Sequence, residues 1–283
     1  MTAISTSALM RRPAGSREPR LTFGGVLASE WVKLRSLRST VWSYAIVVVI
    51  SLGMAALMSF SMLNGAAGEL DVAAMPAEQQ RDLVIQSATF GTYFGQLVVG
   101  VLGVLVISGE YTTGMIRSTL TAVPKRLPAL AAKAIVLVVA TFVVGLVASV
   151  GGYLTASAVL GTALDLLDPV TALSIAGSAL YLALVAVLAL GIGTILRSSA
   201  GGIAAVLGLL LLLPTVLMLI PADWATDVGL YLPSSAGLTM FTAVGADDAA
   251  MVGPNAWQSL LVVVAWVAAS LLGASALLKR RDA

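Results

Sequence analysis

Six stretches of this chain carry no Asp, Glu, Lys or Arg over roughly 20 residues or more, the length a helix needs to cross the hydrocarbon core of a bilayer. They are 41–63, 83–108, 134–164, 169–196, 198–222 and 249–278. In lipid the backbone must satisfy its own hydrogen bonds, so long apolar runs of this kind read as membrane-spanning helices. The expectation is an all-α integral membrane protein with six transmembrane helices. Charged residues make up 11% of the chain, against about 25% in soluble domains. Six spans leave no room for a sizeable soluble domain.

Absent residue types remove whole classes of chemistry. With no Cys and no His, disulfides, thiol nucleophiles, the usual zinc and haem sites and imidazole acid–base catalysis all drop out. No stretch matches the G-x-x-x-x-G-K-[ST] pattern of a phosphate-cradling loop. None of the six runs contains an ionisable group, whereas ion-driven carriers place carboxylates or broken helices near the midplane. Pro214, in "LLLLLPTVLML", is expected to kink the fifth span but brings no charge. Ion coupling is therefore disfavoured, and the energy for any transport must come from outside the chain. The G-x-x-x-G pair Gly91/Gly95 reads as close helix packing.

Lys and Arg are retained on the cytoplasmic side of membrane proteins. Threading six spans from an inner amino terminus leaves every Lys and Arg inside except Arg81. The acids divide the other way, with only Glu18, Glu30, Glu110 and Asp282 inside. Both termini are thus expected to be cytoplasmic. Residues 1–20, polar and basic, read as a disordered cytoplasmic tail rather than a cleavable signal, and 21–283 as one domain. Nothing suggests nucleic-acid binding. The charge-free stretch 228–246 is not a seventh span: Gly229, Pro233, Ser234, Ser235, Gly237 and Gly245 interrupt it, and a seventh crossing would put Lys279, Arg280 and Arg281 outside. It is expected to form a pair of short helices, re-entrant or surface-lying, on the outer face.

Between spans two and three lies "GEYTTGMIRSTLTAVPKR" (109–126). Thr112 or Thr113 is placed to cap a helix over 115–122, and Pro124 pushes Val123 out of the helical region. Ile116, Leu120 and Val123 share one face, with Arg117, Ser118 and Thr121 elsewhere. A helix of about two turns is unstable alone in water. It needs headgroups, neighbouring spans or a partner protein to lie on; a solvated loop with snorkelling basic residues is the competing reading.

Four segments, "LASEWVKLRSLRSTVW" (27–42), "GEYTTGMIRSTLTAVPKR" (109–126), "LRSSAGGIAAVLGLLLLLP" (196–214) and "YLPSSAG" (231–237), occur in an order and at topological places that resemble the permease subunits of ABC-2 type exporters, especially actinobacterial ones with separately encoded ATPases. The similarity runs from about residue 21 to the carboxyl terminus. It implies an amino-terminal interfacial helix before span one, a cytoplasmic coupling helix between spans two and three, and short outer helices before span six, in a bacterial plasma membrane. The interfacial helix maps to about 23–38, with Leu27, Trp31, Leu34 and Leu37 on one side and Glu30 intruding there. Trp31 would anchor at the interface, while Lys33, Arg35 and Arg38 meet anionic headgroups. The coupling segment maps onto Glu110, Tyr111, Thr113, Gly114, Met115, Ile116 and Arg117. In such exporters it docks into a groove on the ATPase, with Glu110 and Arg117 as charged contacts and Gly114 at a close approach or tight bend.

The function so implied is a permease that pairs with a second copy or paralogue. Two ABC-type ATPase subunits, which bind ATP and Mg, drive it to move a hydrophobic or amphipathic cargo out of the cytoplasm. This chain would bind no cofactor and catalyse nothing itself. A membrane-embedded lipid-handling enzyme is a competing class, but the outer acids Asp165, Asp168, Asp223, Asp227, Asp247 and Asp248 show no metal-site spacing. A non-transporting anchor or immunity protein is another.

Overall fold

The computed structural model describes residues 22–64, 71–115, 127–163, 165–245 and 253–280. It contains six helices long and apolar enough to cross a membrane, joined by short helices at the ends of the bundle. In chain order these are α1 (Phe23–Ser36), α2 (Arg38–Leu63), α3 (Ala77–Thr112), α4 (Leu127–Leu160), α5 (Pro169–Leu196), α6 (Ser199–Met218), α7 (Asp223–Leu230), α8 (Pro233–Thr242) and α9 (Ala256–Arg280). The expected pair of short helices before span six is therefore present as α7 and α8. The tail 1–20 lies outside the described residues.

Local chemistry sets the helix ends. Asp168 caps α5 by accepting from the Thr171 N–H at 2.9 Å, with Pro169 at the first helical position, where its missing donor costs nothing. Arg81, the lone basic residue of its end of the bundle, places a guanidinium nitrogen 3.7 Å from the same carboxylate. Ser198 caps α6. Asn255 and Gln258 cap α9 reciprocally, each side chain accepting the other's backbone N–H. Pro214 sits inside a span that continues past it. The helix widens into a π-turn over Gly208–Leu212 immediately before it, which accommodates the missing donor while the span continues to Met218.

At the periphery of the bundle the inward face of α2 is mostly small and hydroxylic and its outward face large and apolar, while Tyr181, Leu182, Leu188 and Leu190 fill the centre from α5. On α2, Val47, Ser51, Ala55 and Ser59 are buried, while Trp42, Val49, Leu57 and Phe60 are exposed. On α4, Val139, Val143 and Val147 point outward. A soluble protein would turn these outward side chains inside. Here lipid solvates the large side chains, and small residues let backbones approach. Helices α3 and α5 form the centre: 72% of the most apolar stretch of α5 is buried, against 22% for α2, α6 and α9. Gly103 of α3 lies against the Ala186 carbonyl of α5, and Gly91 against the Ser51 backbone of α2. Gly237 brings α8 under the ring of Tyr181, whose hydroxyl donates to Gln96 in the core. Helix α8 is accordingly embedded in protein, with Ser234, Ala236, Met240 and Phe241 buried against α5 and α9.

Candidate functional site

At the end of the bundle where Lys and Arg concentrate, three helices bring four charged side chains together. Helix α1 packs across the start of α4, burying Val26, Glu30 and Leu34 at intervals of four residues. Glu110 sits two residues before the end of α3, and Lys133 six residues into α4. The Lys133 ammonium is 2.5 Å from Glu30 Oε2 and 2.8 Å from Glu110 Oε1. Lys33 completes the ring at 2.6 Å from Glu30 Oε1 and 3.1 Å from Glu110 Oε1. Three members are nearly solvent-free, with side-chain exposures of 3% for Glu30, 6% for Lys133 and 8% for Glu110, while Lys33 is 30% exposed. Two carboxylates and two ammonium groups alternate, so the ring is neutral as a unit.

Burial pushes the Glu30 carboxyl up, but the charge and hydrogen bond of Lys133, aided by Lys33, outweigh it and hold Glu30 below its ordinary 4.5. Burial pushes Lys33 down, yet its bond to Glu30 and the charge of Glu110 keep it above its ordinary 10.5. A depressed acid contributes stability that is present above its unfolded value and lost as pH falls through the folded one; a raised base contributes stability lost as pH rises through its folded value. The unfolding temperature of the detergent-solubilised chain should therefore be flat between these limits. It should fall below pH 4.5 as Glu30 protonates, and above pH 10.5 as Lys33 loses its proton. Thermal scans across pH test this.

The residues assigned to the interfacial helix divide between two faces. Trp31, Arg35 and Arg38 are exposed and open to headgroups, whereas Glu30 turns inward and Lys33 joins it. Leu37 adopts an extended backbone that ends α1, so Arg38 begins the first span instead of continuing the interfacial helix. Of the side expected to be apolar, Leu34 is buried and Leu27 partly so, while Trp31 and Leu37 are exposed; the buried face is turned toward Val26 and Glu30, because Glu30 has a buried cation to meet.

The segment that follows α3 begins, as expected, with a bend at Gly114. Gly114 has φ 72°, the left-handed bend that glycine adopts without strain, with open space around it. Thr112 and Thr113 precede the helix expected over 115–122, whose capping lies outside the described residues. Their hydroxyls donate back to the Ser108 and Gly109 carbonyls, at 2.9 and 2.8 Å, and close α3. Glu110 is not an outward charge, while Thr113 and Met115 are exposed. Tyr111 is half-buried beneath the Arg197 guanidinium, 5.4 Å from its ring centre. Ile116, Arg117 and the helix expected over 115–122 lie, beyond Met115, outside the described residues.

Two residues of this site escaped the sequence reading. Lys133 is the sole charge in the 34 residues of α4, and a lone cation inside an apolar helix calls for a counter-ion. Glu110, at matching depth, was the available one. Arg197 carries no such signal: its left-handed φ of 54° belongs to the turn between α5 and α6. Among the described residues no group of acids could hold a metal ion.

The profile of a family described as ABC-2 family transporter protein matches residues 26–215, well over half of the chain. The chain belongs to the ABC-2 transporter family. No curated protein matches it. It is thus a multi-pass membrane protein and a permease subunit of an ABC transporter, of a kind that is not in general an enzyme. The matched region of this ABC-2 permease runs from α1 into α6 and includes all four ring residues as well as Tyr111 and Arg197.

Proposed function

We propose that this permease exports a hydrophobic or amphipathic cargo from the cytoplasm, pairs with a second permease, and is driven by separate ABC-type ATPase subunits that bind ATP and Mg. The ATPase docks on the segment from Glu110 to Arg117, which places both termini in the cytoplasm, as the distribution of Lys and Arg favours. The carrying observation is how the start of that segment is tied down. Glu110 bonds to Lys133 of α4 and Lys33 of α1, and the next residue, Tyr111, packs under Arg197 in the α5–α6 turn. A push on Met115 therefore reaches α1, α4, α5 and α6 through short, stiff contacts instead of dissipating in a loop. Within this reading Glu110 positions the docking segment, and the exposed Thr113 and Met115 offer contact surface.

The experiment is cargo-stimulated ATP hydrolysis in vesicles containing this permease and its ATPase. Because Met115 is exposed, Met115→Asp should leave the permease folded. It should lower ATPase co-purification by roughly tenfold, as charging a docking contact does, and stimulated hydrolysis should fall with it. Transport by the permease with no nucleotide-hydrolysing partner, or an unaltered complex in Met115→Asp, would refute the docking scheme.

A further inference from the structure

The charge ring leaves one group unpaired. Glu110 Oε1 accepts from both Lys33 and Lys133, while Oε2 is buried and bonds to nothing. The residue as a whole is 7% exposed. A buried carboxylate oxygen without a donor bears its desolvation cost uncompensated, and an ionised carboxylate has room for about four donors. Glu110 lines a cavity of about 420 Å³ bounded by α1, the start of α2, the end of α3 and the start of α4. Leu34, Val106 and Val136 make its walls apolar, and Ser36 and Ser39, both exposed residues, contribute hydroxyls.

Depth identifies the surroundings. A 36-residue helix such as α3 is about 54 Å long at 1.5 Å per residue, well beyond the roughly 30 Å of hydrocarbon. Its charge-free run ends at Ser108, which puts Glu110, two residues beyond it, at the level of the headgroups. We propose that this cavity binds an amphiphile through a primary ammonium group, whose N–H bonds complete Glu110 Oε2 once a small rotation of the side chain turns that oxygen to the cavity, while its apolar chain lies along Leu34, Val106 and Val136. The neutral ring does not repel an added cation, and the buried oxygen supplies a specific acceptor. Lys33, at the more exposed edge of the ring, is placed to meet an anionic phosphate. An ethanolamine phospholipid carries both groups; a choline phospholipid carries the phosphate but has no N–H to give. Thr113 and Met115 of the docking segment also line this cavity, but the proposal does not need the ATPase to bind there, and its test uses the permease alone.

The permease, purified in detergent, is titrated by native mass spectrometry with dioleoyl phosphatidylethanolamine, dioleoyl phosphatidylcholine and dodecylamine. The ethanolamine lipid should bind at least about tenfold more tightly than the choline lipid, the effect of one charge-assisted bond. Glu110→Gln should abolish the preference: Lys33 and Lys133 demand the amide oxygen, which turns the NH2 toward the ligand, where it repels an ammonium. Val106→Trp fills the cavity and leaves the ring intact. It should abolish the preference with helix content unchanged, and it decides alone if Glu110→Gln does not fold. Displacement of the lipid by dodecylamine assigns the cavity to amphiphilic amines as a class, and resistance to displacement assigns it to the lipid headgroup; either supports the proposal. Equal binding of the two lipids, or a preference that survives substitution at 110 or 106 in folded protein, overturns it.

Discussion

Replacing Lys133 with methionine is expected to destabilise the folded permease by about 3 kcal/mol, at the lower end of what removing one partner of a buried ion pair costs. Glu30 and Glu110 would remain, 3% and 8% exposed, with only the more exposed Lys33 to neutralise both. Their mutual repulsion would then act at low dielectric, where it is poorly screened. Because Lys133 is the link from α4 to α1, the first visible consequence should be release of α1. Its remaining contacts there are apolar and carry no charge: Val26 against Ala129 and Ala132 with Leu27 alongside, and Leu34 in the cluster that includes Leu130 and Leu137. Limited proteolysis should cut near Leu37 in Lys133→Met and not in the parent, and the unfolding temperature should drop with it. Adding Glu30→Gln should recover part of the loss, since the unpaired acid is then removed as well. Equal protection of α1 in parent and Lys133→Met would show that the ring does not hold this helix.

A comparable effect is expected in the centre of the bundle. A side chain at position 103 would strike the Ala186 carbonyl of α5, and backbone there cannot step aside as a flexible side chain does. Overfilling a packed core usually costs 1–3 kcal/mol and occasionally more. In lipid the penalty has no offset, because association of α3 with α5 rests on close van der Waals contact rather than on escape from water. Gly103→Leu should therefore sharply reduce the yield of monodisperse protein and lower its unfolding temperature. Gly53→Leu is the matched control: it lies on α2 with nothing within 4 Å of an added Cβ, and should change stability by less than about 0.5 kcal/mol. Similar behaviour of the two variants would mean that α3 and α5 are not in intimate contact.

Much of the architecture was legible from local signals. Charge-free runs located all six spans, although α3 and α4 extend past them to include Glu110 and Lys133, because a helix does not stop at its first charge when that charge finds a partner. Prolines and glycines in 228–246 marked α7 and α8 as short, and Gly114 marked a bend that proved left-handed. The threonines beside it close α3, a role their pattern did not reveal, because a hydroxyl can donate to the helix behind it as well as accept from the one ahead. Pro214 was read as able to kink the fifth span, and a π-turn over Gly208–Leu212 marks a local distortion immediately before it.

Span number, the segregation of basic from acidic ends and membrane residence follow from solvent preference, which each residue expresses without reference to its neighbours in space. The inward turn of Glu30 does not. It depends on Lys133, 103 residues away, arriving at the same depth on another helix. Until α1, α3 and α4 converge, a lone acid on an amphipathic helix is best left in water, and the apolar pattern of α1 alone does not say that Glu30 is buried. Pairing free energy between buried charges is a property of distance in three dimensions, and it turned the buried face toward Glu30 and away from Trp31.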